Sequence, residues 1–588
     1  MVSNVGKVVM WLGKQTSDIC QVNALLVAAF VFSNHLRWRE NSWLARLVST
    51  VDYTLAQQLI NIAQKNKVNF EIETLVNLFE CVISPHDRVI NGSIYTPKYI
   101  RQRIIYQCLD HYPAQKLDKL RIADIACGCG GFLMDVAKLI HQKTGKSFGD
   151  IYKENIFGID IQDYSIERTK ILLTLLADLY GETADFEFNL IQADTLDFCS
   201  ENWNPLYSSF DVIVGNPPYV CSRNVSVETR NKMLRYEVSR SGHPDLYIPF
   251  FQIAIQMLKT RGKLGYITMN SFLRSVNGRK LREFFANNSY DISIIDFRGY
   301  QIFPTKSTYT CLFYLQRGKI SKCIRYVTCE NGNLTKCNNF GSIKYSLLNH
   351  KKGWALNDFE NTLAQEMVGI PLGKLCKSRH GIATLCNKVY IFKPVCEDGC
   401  YYYFLDNNQY VKIEKGICRD IVNSNKLNSA VEFDSIIEKV IYPYQKLADG
   451  HVEVLSDETF RQSYPCAYAY LQSHREELRK RDKGNQSRYP AWFAYGRTQS
   501  LQMPKYKLFF PKFANKQLKT VLVDAPEMFL YNGVAFVSDS LSQLQIVQRV
   551  LESADFWHYI TCNAKPYAND YYSVCGPDIM NYGVIARE

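Results

Sequence analysis

The five residues FDVIV at 210–214, followed at once by Gly215-Asn216-Pro217-Pro218-Tyr219, constrain this chain more than any other stretch. The run is β-branched and too short for a helix, so it reads as a buried strand. Two prolines fix φ and remove backbone donors, which forces the strand to end in a stiff turn. In such a turn the Asn216 side-chain oxygen and the carbonyls of Asn216 and Pro217 accept hydrogen bonds at one point outside the strand end. An exocyclic amino group fits there. Taken alone, the same four residues also suit an ordinary strand-ending turn, so the rest of the chain has to decide.

Upstream, residues 121–126 (RIADIA) read as a short strand. Cys127-Gly128-Cys129-Gly130-Gly131-Phe132 then turns directly into the apolar-periodic helix 133–140. Strand, glycine turn and helix make a nucleotide-type arrangement in which the backbone approaches a ligand closely. Asp124 and Ala126 stand at the strand end, where a carboxylate suits an ammonium group better than a pyrophosphate. Two further short strands, 156–159 and 188–192, run into Asp160-Ile161 and Asp194. The 30-residue spacing from Gly130 to Asp160 exceeds the usual ~20, and the polar insert at 144–154 absorbs the excess. Each acid alone is equally well a helix cap; three of them in register with a glycine loop and the proline turn form a site.

Downstream, the polar segment 221–242 carries Arg223, Arg230, Lys232, Arg235 and Arg240, either as a solvated helix or as a phosphate-contacting lid. His243-Pro244-Asp245 opens a helix with Leu246, Phe250, Ile253 and Met257 on one face. Strands at 263–269, 291–297 and 308–315 flank a helix at 279–286. The alternation predicts an α/β, Rossmann-like fold with a mostly parallel seven-stranded sheet closing on an antiparallel hairpin. Residues 92–100 (GSIYTPKYI) place Thr96 as N-cap and Pro97 at the first position of a helix reaching about residue 109.

At 588 residues the chain needs more than one core. Its formal charge of +12 and 13% aromatic content favour a polyanionic partner with bases to stack. Nineteen scattered cysteines without paired C-x2-C spacing read as reduced thiols in a cytoplasmic protein, with no disulfide framework and no metal. The apolar stretch 19–32 falls short of the ~20 residues that cross a bilayer and reads as a buried helix, so no membrane is expected. Residues 1–90 are helical throughout, with spacings such as Leu44, Leu47, Val51, Leu55 and Ile72, Leu75, Leu78, Phe79. They serve as packing support or as a cap, and they lack the Asp and Glu-x-Lys pattern of a nuclease.

Tyr95-Thr96-Pro97, the glycine loop, the three acids, Asn-Pro-Pro-Tyr and then Phe303 within Gln301-Ile302-Phe303-Pro304-Thr305-Lys306 occur in an order that resembles the γ class of S-adenosylmethionine-dependent DNA N6-adenine methyltransferases, the TaqI-like group. The resemblance covers most of residues 92–588. It implies that Tyr95, Thr96 and Pro97 pack over the methionine end of the cofactor, that Asp124, Ala126, Gly128 and Gly130 hold that end, and that Asp160 takes the ribose hydroxyls. Ile161 would lie on adenine and Asp194 would take its amino group. Asn216, Pro217, Pro218 and Tyr219 would grip the target base, with Phe303 as a second aromatic contact.

The domain scheme that follows is a helical region at 1–90, a catalytic domain at 91–317, a connector at 318–368 and a mixed α+β target-recognition domain at 369–588. The last opens with a glycine turn and a strand at 389–392. Later it carries a basic helix at 470–481 and residues suited to duplex DNA: Arg475, Arg479, Trp492, Arg497, Lys505 and Lys512, with Lys507 among them. The expected activity is site-specific methyl transfer to N6 of a flipped-out adenine in double-stranded DNA. The enzyme would modify DNA alone or beside a separate restriction endonuclease. Two other readings remain: methylation of a protein glutamine amide or an rRNA base, which Asn-Pro-Pro-Tyr also serves, and a DNA-binding subunit with a vestigial cofactor site.

Overall fold

The computed structural model describes residues 4–82, 96–199, 201–303, 308–429, 432–448, 451–484, 489–497, 500–502, 504–567, 569–575 and 579–585. The chain divides into two compact units, 1–357 and 358–588.

The first unit is built on one sheet whose strands are β1 (Ile122–Asp124), β2 (Ile156–Asp160), β3 (Asn189–Gln192), β4 (Phe210–Gly215), β5 (Leu258–Met269), β6 (Tyr290–Asp296), β7 (Thr310–Ile320), β8 (Cys323–Thr328) and β9 (Gly341–Lys344). Their order is β3-β2-β1-β4-β5-β7-β6-β8-β9. Strands β1 to β5 pair in parallel, whereas β7 runs antiparallel to both β5 and β6. The anticipated closing hairpin is therefore present. Two strands extend the sheet beyond seven, β8 parallel to β6 and β9 antiparallel to β8. Both come from the stretch expected as a connector; Ile324 and Tyr326 are buried on either side of exposed Arg325, a short alternation that the surrounding Asn-rich composition conceals.

Successive residues of β7 serve opposite layers. Leu312 and Tyr314 join the core beneath helices Lys98–Leu109, Gly131–Thr144 and Asp163–Leu179. Phe313 faces the other way, its ring 4.8 Å from Phe251 and 5.2 Å from Phe285, on helices Tyr247–Met257 and Arg279–Asn287. Nearly all of Tyr247–Met257 is buried, which is why it reads as apolar all round. The excess between Gly130 and Asp160 is itself folded, since Phe148–Glu154 is a helix capped by Ser147.

The N-terminal helices Asn4–Gln15, Ile19–Ser33, Ser42–Ser49, Tyr53–Lys65 and Ile72–Cys81 share one continuous core with the sheet. Arg168, on the helix after β2, is buried and ties them in by donating to Asn23 Oδ1 (2.9 Å) and the Phe79 carbonyl (2.7 Å). Helix Ile19–Ser33 is the buried helix expected, and among the described residues no helix is long and apolar enough to cross a membrane.

The second unit holds two four-stranded sheets. One orders Lys377–His380, Val534–Ser538, Tyr506–Phe510 and Val521–Asp524; the other orders Ile391–Phe392, Ile437–Ile441, Cys418–Asn423 and Met528–Tyr531. Residues 389–392 are not one strand, because a helical turn Asn387–Tyr390 precedes the two-residue strand. The basic stretch 470–481 is likewise broken. Helix Pro465–Ser473 ends at His474, whose ring nitrogen meets the Tyr470 carbonyl, and a short helix Arg475–Arg479 follows.

Candidate functional site

The strand order turns back between β1 and β4: the chain moves outward to β2 and β3, then returns to lay β4 on the far side of β1. At such a switch point the loops diverge and leave a crevice at the carboxyl ends of the strands. A cavity of about 280 Å³ lies there. Thr96, Asp124, Ala126, Gly128, Asp160, Ile161, Asp194, Asn216 and Pro218 all line it. Residues scattered over more than 120 positions are thus brought together as expected.

Two glycines make the crevice possible. Gly130 has φ of 85°, and a Cβ there would lie 2.7 Å from Thr169 Cγ2. A Cβ on Gly215 would stand 2.6 Å from Asp124 Oδ1, so only glycine lets β4 deliver Asn216 this close to the end of β1.

Asp124 is buried and accepts from the Ala126 amide (3.1 Å). Burial pushes its carboxyl up to about 8, with the Asp160 charge adding to the shift. Asp160 is also raised by burial, against hydrogen bonds from the Gln162 and Gly128 amides, each 2.9 Å. Ile161 remains 54% exposed at the cavity wall, a flat apolar platform beside that carboxylate. Asp194 is held by the Leu196 amide (2.9 Å) and by Lys232 Nζ (2.8 Å). Lys232 comes from the short helix Val227–Met233 in the polar segment after the turn, and it also bonds Asp197 at 2.8 Å. The neighbouring Asn224, Ser226 and Thr229 line the cavity, so this segment is a wall of the crevice.

Thr96 is not the N-cap. Helix Lys98–Leu109 is preceded by Pro97 at that position, without a side-chain capping bond. The Thr96 hydroxyl instead accepts from Asn216 Nδ2 (3.0 Å), orienting the amide of the Asn-Pro-Pro-Tyr turn, and its carbonyl accepts from Arg101 (2.7 Å). Arg101 is itself buried and paired with Glu73 and Asp135 at 2.7 and 2.8 Å, which fixes Thr96 from behind. Tyr95 lies outside the described residues, as do 304–307 of the Phe303 segment.

Pro97, Gly130, Pro217, Tyr219 and Phe303 do not line the cavity. Tyr219 and Phe303 do meet, edge to face, with centroids 6.2 Å apart and planes at 70°. Phe303 is 3% exposed and belongs to the core. The rings touch each other, so a base can enter between them only if one swings aside.

Sequence reasoning missed Val76 and Glu80. Both lie on helix Ile72–Cys81, one turn apart, and both line the cavity. Burial raises the Glu80 carboxyl, while its hydrogen bond with Cys129 and the Arg168 charge lower it. The sequence signal is a carboxylate four residues after Val76 on the apolar face of an amphipathic helix, although what it faces is fixed only by the fold. The N-terminal helices therefore support the sheet, and one of them, Ile72–Cys81, also lines the crevice.

In the second unit the six residues picked for DNA are half-buried or exposed. Arg475 lies 5.1 Å over the Trp492 ring, and that indole donates to Asp457 (3.0 Å). Arg479 pairs with Glu476 (2.5 Å), Arg497 with Asp482 (2.9 Å) and Lys505 with Asp524 (3.4 Å), while Lys512 lies 5.6 Å over Phe513. Lys507 is buried on its strand, with its ammonium on the Ala525 carbonyl and burial pushing it down to about 8, so it does not belong to a surface.

The first unit is thus a doubly wound sheet with acids at three strand ends and Asn-Pro-Pro-Tyr at the fourth. Residues 154–303 match the family described as Eco57I restriction-modification methylase. The chain is 28% identical to the Type II restriction enzyme and methyltransferase RM.Eco57I of Escherichia coli, over 71% of this chain and 49% of that protein. It is 24% identical to the Type II methyltransferase M.BstVI of Geobacillus stearothermophilus, over 82% of this chain and 88% of the relative. It thus spans about half the length of the first of these relatives and most of the second. The Type IIL restriction-modification enzyme MmeI, solved in complex with DNA, shares the fold over 90% of this chain and 73% of its own, with a TM-score of 0.59 at 14% identity. These matches bear out the resemblance: over most of its length the chain is similar to DNA methyltransferases of Type II restriction-modification systems.

Proposed function

We propose that this protein methylates duplex DNA at N6 of an adenine, using S-adenosylmethionine, as the modification component of a restriction-modification system or as a solitary methylase. The observation that carries the reading is the convergence of Asp124, Asp160, Asp194 and Asn216 on one crevice at the switch point. The donor set fits the cofactor: buried carboxylates match one ammonium and a pair of ribose hydroxyls, and Ile161 suits a flat base. When bound, the cofactor supplies an electrophilic methyl on a sulfonium.

The protein's own part is to hold and polarise. Asn216, its amide oriented by Thr96, would accept from the target amino group together with the Pro217 carbonyl, drawing N6 towards sp3 geometry and localising its lone pair. The residues would hold N6 in line with that methyl, so that a C–N bond would form at the expense of the C–S bond, the pair staying on sulfur and the extra N6 proton passing to water. Fixed geometry and acceptor placement are sufficient, so no side chain need act as general base. Because the crevice lies at the strand ends, a stacked adenine cannot reach it and must leave the helix. The second unit is the proposed reader of sequence, and a separate endonuclease would be its partner where the enzyme serves restriction. The test is transfer of labelled methyl from S-adenosylmethionine to duplex DNA, with rRNA and glutamine-bearing protein as competing acceptors. Label confined to DNA supports the reading, and label on either competitor alone overturns it.

A further inference from the structure

Outside the crevice, Asp358, His558 and Cys562 bring three ligand atoms together. His558 and Cys562 lie four residues apart on helix Ala554–Asn563 and so share one face. Asp358 comes 200 positions earlier, just before helix Phe359–Met367, which packs against Ala554–Asn563. Asp358 Oδ2 is 3.0 Å from His558 Nε2 and 3.7 Å from Cys562 Sγ, and Sγ is 3.7 Å from Nε2. A tetrahedral zinc ion with bonds of about 2.0 Å to nitrogen and oxygen and about 2.3 Å to sulfur sets these separations at roughly 3.3 to 3.6 Å. Movements of about 0.3 Å would satisfy all three.

A second observation concerns Asp358 itself. It occupies the N-cap of Phe359–Met367, where an aspartate ordinarily accepts from the helix backbone. Here it makes no such bond, its φ is 46°, and its carboxylate is turned to the two side chains of the other helix. Its second oxygen accepts from Asn361 Nδ2 (2.8 Å), the kind of outer contact that steadies a metal-binding carboxylate.

We propose that Asp358, His558 and Cys562 bind a zinc ion, with water in the fourth position. Imidazole, thiolate and carboxylate are all side chains that zinc accepts, and His558 is 64% exposed, which leaves the solvent side open. The spacing escapes a search for paired cysteines because two ligands are a His-x3-Cys helical pair and the third is remote. On binding, the Cys562 thiol gives its proton to solvent and His558 ligates as neutral imidazole, so affinity falls as pH drops. The ion clips the first helix of the second unit to a helix near the end of the chain. The same two helices are also tied by Tyr559 to Glu366 (2.9 Å), so the clip reinforces an existing contact.

The experiment uses the purified full chain, dialysed against a weak chelator and assayed for zinc, then loaded with Co2+ as a spectroscopic probe. Wild type should retain about one more zinc per chain than His558→Ala, a change at an exposed position. The cobalt form should show tetrahedral visible bands and a thiolate charge-transfer band in the near ultraviolet, absent in Cys562→Ser. Equal zinc content in wild type and His558→Ala, or a cobalt spectrum without a sulfur band, would overturn the proposal. If Cys562→Ser fails to fold, the comparison with His558→Ala decides alone.

Discussion

Asp124 turns the cofactor reading into a proton count. Without a ligand, burial holds its carboxyl at about 8, so at pH 7 it is about 90% protonated. If it meets the ammonium of S-adenosylmethionine it must ionise in the complex, because a neutral acid gains little from a cation that a carboxylate would attract. Binding at pH 7 should then release about 0.9 proton, and affinity should rise about 30-fold from pH 5.5 to 7.0 as the ionised fraction grows. The window stays below the cofactor's own α-amino titration near ~8. The sign for stability runs the other way: a carboxyl raised above 3.8 favours the ligand-free fold most below about 4, and this contribution fades as pH climbs towards 8. The cofactor should therefore raise the melting temperature more at pH 7 than at 5.5. Isothermal calorimetry in buffers of differing ionisation enthalpy measures the proton count, and Asp124→Asn should abolish it. Proton release unchanged in that variant, or affinity that stays flat with pH, would refute the assignment.

Asn216→Ala should lower methylation by ~10²-fold or more while cofactor affinity holds, since the lost contact is made to the acceptor; single-turnover rates alongside calorimetry separate the two. Glu80→Gln should weaken cofactor binding by about tenfold through loss of a carboxyl contact in the crevice, whereas an unchanged Kd would leave Glu80 a packing residue. Phe303→Ala should cost roughly 3 kcal/mol of stability as a core truncation. If Phe303 also holds the flipped base, a mismatched target should partly rescue methylation; equal loss on matched and mismatched DNA would confine it to the core.

The crevice was legible because its parts are local. Each strand is a short apolar run ending in an acid or in Asn-Pro-Pro-Tyr, and the fold brings those ends to one point whatever the intervening lengths. What was hidden depends on contacts between distant segments. Glu80 looks like one more helical charge until Ile72–Cys81 is laid against the glycine loop. Thr96 looks like an N-cap because Thr-Pro so often starts a helix, yet its hydroxyl is committed to Asn216. Lys507 reads as one cation among several, but Tyr506–Phe510 is an inner strand buried on both faces, which encloses it. Strands β8 and β9 were masked by polar residues that are tolerated towards the sheet edge.

The central claim is methyl transfer to adenine N6 at one DNA sequence, and the most direct measurement is a map of modified bases in DNA from a methylation-free host expressing this chain. The account predicts N6-methyladenine at a single sequence motif, present with wild type and absent with Asn216→Ala. Cytosine methylation, unmodified DNA from cells containing active folded protein, or N6-methyladenine that persists with Asn216→Ala would contradict it.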